Sequence, residues 1–261
     1  MTCIDINAWL GAYPFRDIGE NEPVDLLRAM ARVGVDRAWI SHLPAVFWQD
    51  PSAGNRTLFA AHDRYPQLVA VPAVHPGIPQ WHEVVRQTVA RGLPAVRCDP
   101  GSYGLAADGP EMRSLLACAA AHALVVICAV RFEDIRQRHP HDGSVDLTPA
   151  AVRSLIRSTP DARLLITHAD REFVEQVHFG STPGEAERIL WDFCNIWGPP
   201  EDHLALLLTT VGAERFTLGT GTPLRLAEGA FARLDLLNPT TELRHALTGG
   251  NLSAFLAQRS A

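Results

Sequence analysis

The residues best suited to chemistry in this sequence are polar side chains that follow short apolar runs. An imidazole exchanges protons near neutral pH, and a guanidinium binds a carboxylate or phosphate through parallel hydrogen bonds. The pattern therefore indicates binding of a small anionic molecule together with acid–base chemistry in a wet, polar mouth. The residues at or just beyond the ends of the runs are Asn7, His42, His75, Arg97, Asp99, Arg131, Glu133, His168 and Thr220.

His168, after the sixth run, is the first candidate for a general acid or base. The alternative is a histidine that is hydrogen-bonded to a neighbouring loop. His139 and Glu133, which follow the fifth run, are the other catalytic candidates. His139-Pro140-His141-Asp142 contains two imidazoles but offers no third fixed ligand, so solvated loop histidines are the simpler interpretation.

Arg97 and Arg131 end successive runs, and we expect both guanidinium groups to bind the anion. The alternative is that neighbouring carboxylates hold them in structural ion pairs. On the binding interpretation, Met at either position would weaken anion binding with little loss of stability. Asn7, Asn55 and Tyr103 are the predicted polar contacts to the substrate.

Eight runs rich in Val, Ile and Leu are candidate strands that are buried on both faces. Helix patterns lie between them: Pro23 and Gly34 bound one, Thr148 opens another, and residues 108–122 form a third. This alternation predicts right-handed βαβ units and, at 261 residues, a single-domain α/β chain folded as a (β/α)₈ TIM barrel over residues 1–261. An open doubly wound sheet is the alternative, although no glycine-rich phosphate loop supports it. The runs cover residues 3–9, 36–42, 68–75, 94–98, 124–130, 163–168, 189–194 and 215–219.

Composition excludes several classes of function. The net charge of -6 and the scattered arginines argue against nucleic acid as a partner. No secretory signal and no stretch of roughly 18 apolar residues is visible, so we expect neither export nor a membrane. Five dispersed cysteines fit free thiols in the cytoplasm. No lysine is present, which removes Schiff-base chemistry and a carboxylated lysine bridging two metals. The sequence leaves open whether the protein forms a homo-oligomer.

The first and last runs carry a family resemblance. The sequences IDINAW at residues 4–9 and RFTLGTGTP at residues 215–223 resemble the amidohydrolase-related branch of the metal-dependent hydrolases. The resemblance implies two metal-binding histidines on the first strand and an aspartate on the last. Here those positions hold Asn7, Trp9 and Gly221. An indole offers only a donor, glycine has no side chain and a neutral amide is a poor zinc ligand, so we expect no metal and no cofactor.

Further motifs resemble a subgroup of that family that lacks the usual metal ligands. They lie at residues 11–16, 53–55, 131–139 and 219–221. The loop at residues 136–147 is predicted to cover the functional face.

The expected function is an amidohydrolase-like enzyme that hydrolyses a small anionic molecule, or cleaves a C–C or C–N bond in it, without metal. One alternative is a non-catalytic barrel that binds a ligand or partner after losing its metal site. Another is an atypical metal-dependent hydrolase that uses His75, His139 and His168.

Overall fold

The computed structural model describes residues 2–19, 21–197 and 202–258. Its eight strands alternate with helices, and every strand pair is parallel. All eight predicted runs are therefore confirmed as strands. The strands are β1 Ile4–Leu10, β2 Arg37–His42, β3 Leu68–Ala70, β4 Ala95–Arg97, β5 Val125–Ala129, β6 Leu164–Thr167, β7 Ile189–Asp192 and β8 Phe216–Thr217.

Backbone hydrogen bonds close the strands into a barrel. Strands β1 to β3 form one ladder and β4 to β8 form a second. At one seam the Arg97 N–H donates to the Pro72 carbonyl at 2.9 Å, and the Val74 N–H donates to the Arg97 carbonyl at 2.7 Å. At the other seam the Ile6 N–H donates to the Leu218 carbonyl at 3.0 Å. The protein is thus an α/β, (β/α)₈ TIM barrel, as the sequence predicts.

Strand β3 is shorter than the predicted run at residues 68–75. Pro72 has no N–H, so it cannot donate to a neighbouring strand and the ladder stops at Ala70. Pairing resumes for a single bridge between Ala73 and Arg97. The chain therefore keeps its extended direction to the mouth of the barrel without a continuous ladder.

Helices α1 and α5 begin where the sequence signals indicate, and α4 lies within the predicted residues 108–122. Pro23 starts α1, and Gly34 ends it at φ 77°, a left-handed conformation that glycine adopts without strain. The Thr148 hydroxyl caps α5 by accepting from the Ala151 N–H. The helices are α1 Pro23–Val33, α2 Ser52–Arg64, α3 Trp81–Ala90, α4 Pro110–Ala121, α5 Pro149–Ser158, α6 Arg171–Phe179, α7 Pro183–Ala186, α8 His203–Leu207, α9 Ala227–Leu236, α10 Thr241–His245 and α11 Asn251–Ala257.

The core fills the barrel and the layer between strands and helices. Every residue of β5 and β6 is buried, as expected for parallel strands that are covered on both faces. Helix α5 contributes Val152, Leu155 and Ile156 from one face. In the described part of the chain, no helix has the length and apolar character needed to cross a membrane.

Candidate functional site

A buried polar cluster joins the middle of β1 to the carboxyl ends of three other strands. Asn7 belongs to β1, Arg97 ends β4, His168 follows β6 and Asp192 ends β7. Each of these residues is at most 1% exposed. The structure therefore brings three of the predicted site residues together and adds Asp192, which the sequence analysis did not single out.

The Asn7 side chain is the centre of this cluster. Its Nδ2 atom donates to Asp192 Oδ2 at 2.7 Å and lies 3.4 Å from His168 Nδ1. The same atom lies 3.6 Å from Cys194 Sγ. The Oδ1 atom accepts from an Arg97 guanidinium nitrogen at 3.5 Å. One amide thus joins groups from β1, β4, β6 and β7.

His168 is held in a defined orientation and protonation state. Its backbone lies at φ 60°, a left-handed conformation that costs free energy for a non-glycine residue, and its N–H donates to Asp192 Oδ1 at 3.0 Å. Burial lowers the pKa of His168 well below its usual range, and the charges of Arg225 and Arg97 lower it further. The imidazole is therefore neutral.

The hydrogen bonds of His168 also locate its single ring proton. The Nδ1 atom lies 3.4 Å from the Asn7 amide nitrogen, which can only donate, and 3.1 Å from the Thr167 hydroxyl, which can donate or accept. Both contacts are hydrogen bonds when Nδ1 accepts, and this assignment places the proton on Nε2. The Nε2 atom is buried and has no hydrogen-bond partner among the described residues. Such an atom is a candidate for contact with a ligand, because buried donors in native proteins are nearly always paired.

Arg97 is buried among protein groups, although its Nη1 atom has no hydrogen bond within the described residues. Its Nε donates to Ser41 Oγ at 2.9 Å, and another nitrogen lies 3.8 Å from Asp99 Oδ2. The guanidinium carbon stands 4.1 Å above the centre of the Trp9 ring. Burial lowers the Arg97 pKa and raises the Asp99 pKa, yet a guanidinium stays charged in proteins. These contacts favour the ion-pair interpretation of Arg97.

The donors near Asn7 do not fit a divalent metal as they stand. Ligand atoms of His168, Asp192 and Cys194 lie within 4.8 Å of one another. However, the Asn7 Nδ2 atom contacts all three, and the Arg97 cation contacts the same amide. Burial raises the pKa of Asp192 to about 6 and that of the Cys194 thiol well above its usual value, so the thiol keeps its proton.

The hypothesis of a metal held by His75, His139 and His168 gains no support from the geometry. His75 stacks on the Tyr103 ring at 4.3 Å, and His139 stacks on Phe15 at 5.6 Å. Neither residue belongs to the group of potential ligands around His168 in the described part of the chain.

Aromatic side chains cover the cluster. Phe132 packs on Trp9 at 5.3 Å and on His168 at 5.9 Å between ring centres. Phe47, Phe15 and Tyr13 continue outward from Phe132 with ring centres 5.3–5.9 Å apart. We call Tyr13, Phe15, Phe47 and Phe132 the aromatic cap. These loop residues pack over the Asn7 cluster at this end of the barrel.

Two cavities lie beside the cap, and Arg131 and Phe132 line both of them. The first, of about 330 Å³, lies between the loops that follow β4 and β5. The second, of about 240 Å³, lies over the ends of β5 to β8, and we call it the polar cavity. Residues 136–147 line part of each cavity, consistent with the predicted covering loop. The polar cavity is lined by Arg16, Arg131, Phe132, Glu133, Asp134, Arg136, Gln137, Asp170, Asn195, Trp197, Leu224 and Arg225.

Ion pairs occupy two of the predicted residues at the polar cavity. Arg131 lies 3.5 Å from Asp146 and 3.4 Å from Asp170. Glu133 accepts from Arg16 at 2.9 Å. None of these bonds reaches the Asn7 cluster, and the roles of both residues in substrate binding and catalysis stay predictions.

Three other candidates bind the protein itself. Both ends of the Asn55 amide pair with the Ala73 backbone at 2.8 Å. The Tyr103 hydroxyl donates to the Ala45 carbonyl at 3.4 Å. Thr220 donates to the buried carboxylate of Asp5 through both its N–H and its hydroxyl. The polar groups of Asn55 and Tyr103 are already hydrogen-bonded to the backbone, which does not favour contact with substrate. Their roles as substrate contacts stay predictions.

Sequence reasoning missed Asp192, Cys194 and Arg225. Asp192 ends β7, so the rule that selected His168 could have found it had the apolar run not been extended to residue 194. Arg225 follows Pro223 in the loop after β8 and shows no local signal. Its importance depends on which residues surround it in three dimensions.

Known proteins resemble this chain in fold and not in sequence. No protein-family profile and no curated protein sequence matches the chain. The structure resembles 5-carboxyvanillate decarboxylase from Sphingomonas paucimobilis with a TM-score of 0.75, 14% identity and 98% of each chain covered. It also resembles a dihydroxybenzoic acid decarboxylase from Polaromonas sp. that was solved with bound manganese and an inhibitor. The TM-score is 0.73 at 12% identity, and 100% of this chain and 98% of that chain are covered.

A third similar structure is a probable 2-pyrone-4,6-dicarboxylic acid hydrolase from Acinetobacter baumannii with citric acid bound. Its TM-score is 0.69 at 13% identity, and 98% of this chain and 99% of that chain are covered. At such identities the likeness is one of fold, and this chain shares the (β/α)₈ barrel of these structures.

Proposed function

We propose that the protein is an amidohydrolase-like enzyme that hydrolyses a small carboxylate-bearing molecule, or cleaves one of its C–C or C–N bonds, without a metal. His168 is the proposed acid–base group. The observation that carries the proposal is the buried Nε2–H group of His168, which has no partner among the described residues and stands at a strand end of the barrel.

The chemistry available to His168 follows from its neutral state. A neutral imidazole donates Nε2–H to an oxygen that gains negative charge during bond cleavage. Asn7 fixes the tautomer through Nδ1, and Asp192 fixes the backbone. The ring therefore acts through Nε2–H, as a hydrogen-bond donor to that oxygen, while the Asn7 amide keeps Nδ1 unprotonated.

The fold neighbours support the reaction class. The three similar structures are named as two decarboxylases of aromatic acids and a hydrolase of a dicarboxylic acid. The Polaromonas enzyme contains manganese. In this chain the Asn7 amide and the Arg97 cation stand among the potential ligands, which favours a reaction that these residues carry without a metal.

Turnover by chelator-treated protein tests the proposal. The substrates are 5-carboxyvanillate, 2,6-dihydroxybenzoate and 2-pyrone-4,6-dicarboxylate. Their conversion is measured by loss of absorbance and by chromatography of the products. We expect turnover of at least one substrate and a loss of roughly 100-fold or more in His168→Gln. His122→Gln, an exposed histidine after α4, is the matched control and should keep full activity. Activity that appears only after manganese or zinc is added would contradict the metal-free reaction.

The aromatic cap favours a second candidate function, a barrel that binds a ligand without converting it. Phe132 closes directly over His168, so the ring has no open path to bulk water along the barrel axis. On this alternative, the wild-type protein would bind one of the same acids, and the acid would be recovered unchanged after prolonged incubation.

A further inference from the structure

We infer that the cavity of about 330 Å³ between the loops that follow β4 and β5, which we call the loop cavity, binds an organic cation that carries a primary ammonium group on a compact apolar body. Asp142 and Asp108 are the proposed partners of the ammonium group. The inference goes beyond the proposed function, because the ligand is a cation and because Asn7, His168 and Asp192 are not among the described residues that line the loop cavity.

The charged side chains of the loop cavity leave an excess of negative charge. Both of its arginines lie against Asp146, and Arg131 also lies 3.4 Å from Asp170. Asp108 and Asp142 have no arginine partner within residues 2–19, 21–197 and 202–258. Four aspartates against two arginines give the lining two negative charges in excess, which favours a cation. These residues are Asp99, Asp108, Asp142, Asp146, Arg131 and Arg138.

Asp142 offers an accessible acceptor inside the loop cavity. The residue is only 9% exposed, and its Oδ1 atom accepts from the Ser144 N–H at 3.0 Å. Its Oδ2 atom has no hydrogen bond within the described residues, yet it is not one of the unpaired atoms that the protein seals from solvent. A carboxylate at this depth normally has partners for both oxygens. We therefore assign Oδ2 to an N–H group of the ligand.

Asp99 gives the inner wall of the loop cavity the same character. It is 5% exposed, and its Oδ1 atom accepts from the Ala129 N–H at 2.6 Å. Its Oδ2 atom is buried without a hydrogen bond, since the nearest nitrogen of Arg97 lies 3.8 Å away. The wall behind the ligand is therefore also that of a carboxylate with an unfilled acceptor.

The two arginines are the groups that could favour an anion instead. The Nε atoms of Arg131 and Arg138 are buried without hydrogen bonds. Each guanidinium already lies against the carboxylate of Asp146, and Arg138 also donates to the Ser144 carbonyl at 3.0 Å. Because their charges are balanced by the protein, we expect the unpaired aspartates to decide which ligand binds.

The rest of the wall fits an apolar body. Leu105, Val130, Phe132 and Leu147 line the loop cavity. The volume of about 330 Å³ is near the lower limit of small-molecule sites, so the body is compact. An ammonium group that is surrounded by such walls interacts more strongly with a carboxylate than it does in water.

Contacts between the two loops fix the shape of the loop cavity. A Cβ atom on Gly101 would lie 1.8 Å from the Val145 carbonyl oxygen, so only glycine permits this approach of the two backbones. The Val145 N–H donates to the Gly101 carbonyl at 3.3 Å, and the Ser102 and Ser144 hydroxyls are 3.2 Å apart. A site that is formed before the ligand arrives loses less entropy on binding.

An organic cation fits the loop cavity better than a metal ion does. A divalent metal requires several ligand atoms that converge on one point. In the described part of the chain, the one group of three such residues is His168, Asp192 and Cys194. The aspartates of the loop cavity form no such group, whereas the three N–H donors of an ammonium group can bind separate carboxylates.

Three probes with one cyclohexyl body test the preference for a cation. Cyclohexylmethylamine is a cation at neutral pH, cyclohexylmethanol is neutral and cyclohexanecarboxylate is an anion. Isothermal titration of the full-length protein should show the tightest binding for the amine, roughly 10-fold tighter than for the alcohol, and the weakest for the carboxylate.

Replacement of single aspartates locates the ammonium group. Asp142→Asn keeps the shape and an oxygen for the Ser144 N–H, so the amine should bind roughly 10-fold more weakly and the alcohol should stay within about twofold. Asp108→Asn should weaken amine binding by roughly threefold, because Asp108 is only partly buried. Asp161→Asn is the matched control: Asp161 is an exposed aspartate before β6, away from the loop cavity, and the amine should keep its affinity.

Gly101→Ala separates shape from charge. The added Cβ would push the Val145 backbone away, so the amine and the alcohol should lose affinity by similar factors. Circular dichroism checks the folding of every variant before titration. Full affinity of Gly101→Ala for both probes would show that they bind elsewhere and would overturn the site.

The other outcomes are equally direct. A preference for the amine that is lost in Asp142→Asn and kept in Asp161→Asn would support the site, even if no acid were turned over. Three results would overturn it whatever the catalytic result: no binding of the amine by the wild type, equal affinity for amine and alcohol, or unchanged amine affinity in Asp142→Asn. Tightest binding of the carboxylate would also overturn it and would assign the loop cavity to Arg131 and Arg138.

Discussion

Two arginines at the same end of the barrel have opposite surroundings. Arg97 is 1% exposed and contacts Ser41, Asp99, Asn7 and the Trp9 ring. Arg225 lines the polar cavity and contacts no carboxylate in the described part of the chain. The comparison shows that a strand-end position does not make an arginine a ligand-binding group. The number of partners that the protein already supplies decides whether the charge stabilises the fold or is free for a ligand.

The largest expected effect follows the removal of the Arg97 charge. Arg97→Met would leave Asp99 buried and uncompensated, so the free energy of unfolding should fall by about 3–5 kcal/mol. This reverses the expectation from sequence, which was weaker anion binding with little loss of stability. Arg163→Met is the control, because the Arg163 guanidinium carbon also lies 4.1 Å over a ring, that of Phe255, but is only partly buried. Urea denaturation measures the free energy of unfolding of both variants. Equal losses in Arg97→Met and Arg163→Met would contradict the structural role of Arg97.

A smaller effect is expected when the Asn7 donor becomes a carboxylate. Asn7→Asp would place an acid 2.7 Å from Asp192 Oδ2, and one of the two carboxyl groups would need to keep a proton. The folded-state pKa of the pair rises, so stability is present at low pH and is lost as pH increases. We expect a loss of about 2–4 kcal/mol at pH 8 and a smaller loss at pH 5. Asn7→Ser, which introduces no charge, should show the same loss at both pH values.

The pH dependence of stability should report the buried His168. Its folded-state pKa is lowered by burial, so below about pH 6.5 the unfolded chain binds a proton that the folded chain does not. In that range the free energy of unfolding decreases as the pH is lowered, by at most about 1.4 kcal/mol per pH unit. Asp192, whose pKa is raised to about 6, acts in the opposite direction between its unfolded value and 6.

The difference between wild type and His168→Gln isolates the histidine, because Asp192 is present in both proteins. Wild type should lose more stability than His168→Gln when urea unfolding is compared at pH 7 and pH 5. Parallel curves for the two proteins would show that the ring is not buried in its neutral form.

The smallest expected effect is that of a chelator. Because the Asn7 amide takes the space among His168, Asp192 and Cys194, no metal should contribute to folding. Treatment with EDTA should shift the melting temperature by less than about 1 °C, since a ligand that does not bind the folded state cannot stabilise it. Elemental analysis of untreated protein checks the same point, and one metal per chain would contradict it.

The fold could be predicted from sequence because parallel strands that are buried on both faces give continuous apolar runs. The runs at residues 124–130 and 163–168 contain β5 and β6, although the predicted ends extend beyond the ladders. The barrel then places Asn7, Arg97 and His168 at one end, since the carboxyl ends of its strands meet there.

The partners of these residues could not be predicted. Asn7 and Asp192 are 185 positions apart, and no local pattern reveals that one donates to the other. The aromatic cap is contributed by loops, whose packing follows from tertiary contacts and not from periodicity. Arg225 escaped notice for the same reason, because its lack of a partner is a property of the folded chain.

The backbone of Arg97 closes the seam between β3 and β4 through its N–H and its carbonyl, while its side chain holds the buried cluster. A local opening of that seam would therefore loosen the same residue that anchors the cluster. Hydrogen exchange of the Arg97 and Val74 amides should then rise together with exchange at the Asn7 side chain, so that these protons open as one cooperative unit.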